Sequence, residues 1–204
     1  MAEAPAAARD ATLAIIKDEH RSLASVLRAL HRYVHEVQAG YIQCDFGLLS
    51  AMLYYIAVFP EQLHHPKEDR HLFSALRRRT SEVDAVLDRL QAEHVQSAQL
   101  TAYLEQTLVH FQGGAPDGLK TFGAAVDAYA ALLEDHMRLE EDEVLAAAQK
   151  HLTAEDWQAI HDAFSDHSDP LFGEKPTQAF ARLRKRIASL VPTKLKSAVR
   201  DAET

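Results

Sequence analysis

A single cysteine, Cys44, stands among the 204 residues, so no internal disulfide can form and no cysteine-based metal site can be assembled. Any metal must be held by histidine and carboxylate. Glycine and proline number only seven each against abundant Ala, Leu, Glu, Arg and Gln. Those residues lose little rotamer freedom in a helix, which argues against a sheet and for an all-α protein. Basic charge is also short: 22 Lys and Arg face 30 Asp and Glu, and the formal charge of -8 repels nucleic-acid phosphates and anionic lipid. Neither nucleic acid nor membrane is an expected partner. No apolar run reads as the ~20 residues of a membrane span. The N-terminus carries acid early and lacks a continuous apolar stretch, so it does not read as a signal peptide and the expected location is cytoplasmic.

What the chain does have is helical periodicity. Apolar residues recurring every three or four positions mark long helices over roughly 10–38, 46–79, 81–112 and 118–150. Gly40 stops the first, Thr80-Ser81 with Glu82 and Asp84 caps the third, and Gly113-Gly114-Ala115-Pro116-Asp117-Gly118 forms the strongest turn. Short links between long helices predict an antiparallel, up-down-up-down four-helix bundle. A fifth helix is expected from Thr153-Ala154-Glu155-Asp156 to before Asp169-Pro170, and a sixth from Pro176 to Leu190. The organisation expected is a bundle over 1–150 and a C-terminal helical extension with a polar tail over 151–204.

Chemistry-bearing residues interrupt the apolar stripes. On the fourth helix Phe122, Val126, Tyr129, Leu133, His136, Glu140 and Val144 follow one i+3/i+4 ladder. The third shows Leu90, His94, Thr101 and Leu104, and the first Ile16, His20, Leu23 and Leu27. The second offers two pairs, His64 with Glu68 and His65 with Asp69. The stripe through Leu49, Leu53, Ile56, Phe59 and Leu63 favours His64 and Glu68, although Pro66 removes a helical hydrogen bond and weakens that angular reading. Counting ~1.5 Å per residue from the helix ends puts His20 level with His64 and His94 level with His136, in one layer at one end of the bundle. Buried carboxylates without a partner cost several kcal/mol, and a cation removes that cost. The expected site is therefore two metal ions held by His20, His64, Glu68, His94, His136 and Glu140. These donors suit iron, manganese or zinc better than copper(I) or calcium.

The ordered set His20, His64-His65-Pro66-Lys67-Glu68, His94 and His136-Met-Arg-Leu-Glu140 resembles the hemerythrin-like, HHE cation-binding family of bacterial type. The stretch from Glu155-Asp156-Trp157 to Phe172-Gly173 extends the likeness. The resemblance implies an oxo- or hydroxo-bridged di-iron centre, with Glu68 and Glu140 bridging and the four histidines terminal. Oxygen-carrying members have a second His one turn beyond that on the third helix, where this chain has Ala98; water, Glu93 or His65 are the substitutes. Their last helix bears Asp at a wider spacing, which makes Glu141 a rival to Glu140.

His71 reads as a solvated or supporting residue, and His31, His35, His110, His151, His161 and His167 as surface or capping residues without paired spacing. Arg182 to Arg186 lie on a helix expected to pack Phe180, Leu183 and Ile187 inward. Trp157 is an expected packing anchor, and Cys44 is expected to be inert. The leading reading is a di-iron protein that binds, senses or scavenges a small ligand such as dioxygen, nitric oxide or peroxide, and it is compatible with a homo-oligomer. Beside it stand a di-iron peroxidase or catalase-like enzyme and a metal-free structural bundle.

Overall fold

The computed structural model describes residues 3–166 together with Asp169, Leu183 and Lys185. Among these the chain is all-helical, in five stretches: α1 (Glu3–Gln38), α2 (Phe46–Arg79), α3 (Asp84–Gln112), α4 (118–151) and α5 (Ala154–Ser165). Asp45 caps α2 by accepting from the Leu48 N–H. Thr153 caps α5 in a reciprocal box with Asp156, whose carboxylate also takes Arg79 from the end of α2 at 2.7 Å. Gly40 and Gly114, with φ of 74° and 77°, make the left-handed turns that release α1 and α3. The sixth helix expected over 176–190 lies outside the described residues, apart from an exposed Lys185 and a buried Leu183.

The expected stripes are the buried ones: Ile16, Leu23 and Leu27 on α1, Leu90 and Leu104 on α3, and Phe122, Val126, Tyr129, Leu133 and Val144 on α4. They divide into two apolar clusters. One gathers Leu23, Leu27, Leu53, Ile56, Phe59, Leu104, Phe122, Tyr129 and Leu133; the other gathers Ile16, Leu72, Phe73, Leu76, Leu87, Leu90, Val144 and, from α5, Trp157, Ile160 and Phe164. The polar layer lies between them, which corrects its expected place at one end of the bundle. The shift has two causes: α1 begins earlier than its periodicity suggests, and α5, anchored by Trp157, closes the second cluster. Helix α1 packs on α4 and α5, and α3 packs on α4 and α2.

Regular α-turns do not run the whole length of α2 and α4. Phe59–His64, Glu68–Phe73 and Glu140–Val144 are π-helical, with the His65 N–H reaching the Pro60 carbonyl and the Leu145 N–H that of Glu140. Pro60 lacks an N–H, so a preceding carbonyl loses its α-type donor; a widened turn is the local answer. Each widened turn advances the inward face by one residue. On α2 the buried positions accordingly step from Ile56 and Phe59 to Pro60, His64, Glu68, Leu72 and Leu76.

Averaged over an 18-residue window, α2 reaches a mean hydropathy of 1.3, long and apolar enough to span a membrane. That corrects the reading based on unbroken apolar runs. Its apolarity has another use here, since Leu49, Met52, Leu53 and Ile56 are buried among the other helices.

Among the described glycines, Gly118 in the α3–α4 connection has the closest approach to another backbone segment. A Cβ on Gly118 would come within 2.6 Å of the Phe111 backbone, so Gly118→Ala is expected to destabilise the protein by about 1–3 kcal/mol in urea unfolding. An unchanged midpoint would mean that the turn yields freely.

Candidate metal centre

The residues that interrupt the stripes converge in the polar layer. His20 comes from α1, His64, His65 and Glu68 from α2, His94 from α3, and His136 and Glu140 from α4, and all seven are buried. Two groups of potential ligand atoms form: His20, His64, Glu68 and Glu140 in one, and His65, Glu68, His94 and His136 in the other. Glu68 belongs to both. Its Oε1 lies 2.7 Å from His64 Nε2 and 3.7 Å from His20 Nε2, while its Oε2 lies 3.4 Å from His94 Nε2. Glu140 Oε2 stands 3.3 Å from His20 Nε2 and joins the first group only, so the structure gives the shared position to Glu68 and not equally to both carboxylates.

All six expected residues are brought together, and His65 is added. Its ring stacks on that of His94 at a centroid distance of 4.2 Å. The α-helical stripe missed it because His64 and His65 differ by ~100° on a regular helix, but here they sit at the seam between π- and α-turns. His65 thus places in the layer, from the second helix, a nitrogen where Ala98 has none to offer from the third. Glu93 is not the substitute; it backs His136. Glu141 is no rival to Glu140, since it lies on the outer side of His20 while Glu140 is fully buried.

Every inward histidine has a carboxylate on its far side. His20 Nδ1 is 2.8 Å from Glu141, His64 Nδ1 2.8 Å from Glu19, His136 Nδ1 3.0 Å from Glu93, His94 Nδ1 3.2 Å from Asp69 and His65 Nδ1 3.7 Å from Glu61. Four of these contacts cross between helices: Glu19 of α1 to α2, Asp69 of α2 to α3, Glu93 of α3 to α4, and Glu141 of α4 back to α1. They close a ring around the bundle. Glu61 is itself held by Ser97 and Thr101 of α3 and Tyr129 of α4.

Three of these contacts fix imidazole tautomers. An ionised carboxylate only accepts, so at His20, His64 and His136, whose Nδ1 contacts are aligned hydrogen bonds, a neutral ring carries its proton on Nδ1 and Nε2 presents a bare lone pair. Yet His20 Nε2 lies 3.1 Å from His64 Nε2, and His94 Nε2 lies 3.2 Å from His136 Nε2. In the first pair, where both Nδ1 atoms are committed, two lone pairs do not face each other at that distance without positive charge between or beside them. A metal bonded to nitrogen at ~2.0–2.1 Å places neighbouring donors roughly 3 Å apart, which matches both separations. Both oxygens of Glu68 and Glu140 and both nitrogens of His65 are buried without an aligned hydrogen bond, as ligands awaiting a cation would be. The residues fit a two-metal group.

Without metal, protons take that place. Burial alone would lower His20, His64 and His94, but the carboxylates reverse it: Glu140 and Glu141 hold His20 well above its usual range, Glu68 and Glu19 raise His64 to about 9, and Asp69 and Glu68 raise His94 to about 10. Burial, reinforced by the neighbouring imidazoles, lowers His136 to about 2 against the pull of Glu68. His64 and its neighbours keep Glu68 well below the carboxylate range despite burial, whereas burial and the Glu68 charge raise Glu140.

The sequence matches the hemerythrin HHE cation binding domain over residues 11–148. The chain belongs to this family. No curated protein and no solved structure matches it. The family assignment makes this a cation-binding domain, and the seven-residue cluster is where its geometry can accept the cation.

The remaining histidines divide. His71 is exposed beside Arg70, Arg78 and Asp156. His110 pairs with Asp117 and His151 with Glu82, as surface residues do. His167 lies outside the described residues. His31 and His35, expected to be unpaired, in fact stand one turn apart and share Asp127. Cys44 is half-buried, and burial with the nearby Asp45 raises its thiol pKa, in keeping with an inert residue.

Replacing His65 by Ala should reduce the bound transition metal from two ions per chain to about one by elemental analysis, with two retained if His65 is not a ligand. Metal-free protein should lose stability on the alkaline side. The contributions of His64 and His94 are complete below the unfolded value of 6.5 and lost as pH rises through about 9 and 10. Denaturant midpoints in chelator should therefore fall from pH 7 to pH 10, and a flat profile would reject proton substitution.

Proposed function

We propose that this protein carries a di-iron centre and uses it to bind, sense or scavenge a small ligand, namely dioxygen, nitric oxide or peroxide. The observation that supports it is the pair of opposed Nε2 contacts, each backed by outer carboxylates and both joined by Glu68. In this reading His20, His64 and Glu140 would hold one iron and His65, His94 and His136 the other, with Glu68 available to both. The four long helices run alternately up and down, an order favoured by their short links.

When bound, the irons supply redox-active Lewis-acid positions at which such a ligand can coordinate. The chain's own residues prepare the place. Glu19, Asp69, Glu93 and Glu141 orient the imidazoles and raise their basicity. Phe73 stacks near His94 with ring centroids 5.8 Å apart, and Phe164 lies edge-on to His64 at 6.5 Å; these rings exclude water. Lys67 holds α5 in position by donating to the Phe164 carbonyl at 3.2 Å. Manganese or zinc fits the same donors, but neither accounts for the diatomic-ligand chemistry suggested by membership of this family.

His65 offers the layer a nitrogen in place of the one that Ala98 lacks, and on that ground binding is preferred over peroxide turnover. Iron-loaded protein in air should show the charge-transfer absorption of a bridged di-iron centre. The spectrum should change on anaerobic reduction and titration with nitric oxide or dioxygen, and the bands should vanish in His136→Ala. Failure to bind iron, or a spectrum indifferent to nitric oxide, dioxygen and added peroxide alike, would sink the proposal; steady oxygen evolution from peroxide would move the assignment to the enzyme.

A further inference from the structure

We infer that His31, His35 and Asp127 form a second, solvent-facing site for a single divalent first-row transition ion of the zinc type, separate from the buried pair. His31 and His35 lie one turn apart on α1, so their rings project from the same face. Their centroids are 4.4 Å apart. Asp127 reaches across from α4, and a single oxygen, Oδ1, lies 3.3 Å from His31 Nε2 and 3.0 Å from His35 Nε2. Three ligand atoms from two helices therefore converge at the spacing of donors around one ion, roughly 3 Å for metal–ligand bonds near 2 Å.

Two imidazoles and a carboxylate favour zinc, nickel, cobalt or copper(II) over calcium and magnesium, which prefer all-oxygen shells. The three side chains are each about half exposed, 47%, 47% and 49%, so water can complete the coordination. Nothing in this group overlaps the inner layer. His31 is eleven residues beyond His20 on the same helix, roughly 16 Å away at ~1.5 Å per residue. An ion here ties the last turns of α1 to α4, next to the turn at Gly40. The sequence carries the signal as a His-x-x-x-His pair; its third ligand becomes visible only once α1 and α4 are packed together.

The alternative is a plain ion pair in which Asp127 serves whichever imidazole is protonated. Equilibrium dialysis of the untagged, iron-loaded full chain against zinc, with cobalt as an absorbing substitute, separates the two. The wild type should hold one more ion per chain than His31→Ala/His35→Ala, with iron content and circular dichroism equal in both. Asp127→Asn should weaken that ion at least about tenfold. Because the result is a difference between two chains, it does not depend on what fills the buried pair. No difference in zinc between wild type and double variant, or an Asp127→Asn protein that binds as tightly as wild type, would overturn the assignment.

Discussion

Two pairs of imidazole nitrogens point at one another across a shared carboxylate, and the middle of the bundle is organised around that constraint. With Nδ1 committed to Glu141 and Glu19, the Nε2 atoms of His20 and His64 cannot satisfy each other as neutral rings at 3.1 Å. Positive charge has to reside there, as protons or as metal. His94 and His136 repeat the close approach at 3.2 Å. An apolar core of this size could fold without such a layer, but not with it left uncompensated, since burying unpaired charge costs several kcal/mol. The apolar clusters on either side keep water out and make the compensation obligatory.

Widened turns flank the part of α2 that supplies three of the seven inner residues. His64 closes the π segment Phe59–His64, His65 opens the α-helical turn His65–Lys67, and Glu68 opens the π segment Glu68–Phe73. Glu140 repeats the device, since it too opens a π segment. Both inward carboxylates thus stand at a widened turn, where the backbone has departed from its best hydrogen bonding, and metal coordination is an interaction strong enough to offset that departure.

Much of this was legible in the sequence. On α1, α3 and α4 the apolar stripes named the inward face, and counting residues from helix ends put His20, His94 and His136 at a common height. Thr153 and the turn at Gly113–Gly118 fixed boundaries by local chemistry alone. The misses share one cause. A periodic reading assumes a constant angular step, so it chose His64 over His65 where the structure, with its π-turns, uses both. The outer carboxylates left a trace that periodicity does not weigh: Glu19 precedes His20, Asp69 follows Glu68, Glu93 precedes His94 and Glu141 follows Glu140. Only packing reveals that Glu19 and Glu93 serve a histidine on the next helix and not their own neighbour. His31 and His35 went unread as a pair because an exposed i,i+4 spacing carries no apolar stripe to mark it.

That ring of carboxylates also bears on the charge state of the proposed irons. Glu68 and Glu140 inside, with Glu19, Glu61, Asp69, Glu93 and Glu141 behind the imidazoles, amount to seven acidic groups close to the layer. Two divalent ions bring four positive charges, and two trivalent ions bring six. Surroundings this acidic, partly shielded from water, would favour the higher total in an iron-loaded protein, because each added positive charge would meet carboxylates already in place. The same carboxylates hold the helices together pairwise, α1 to α2, α2 to α3, α3 to α4 and α4 to α1. The groups that would tune the metal are thereby the groups that close the bundle, so a change in metal charge would be felt at each of these helix contacts.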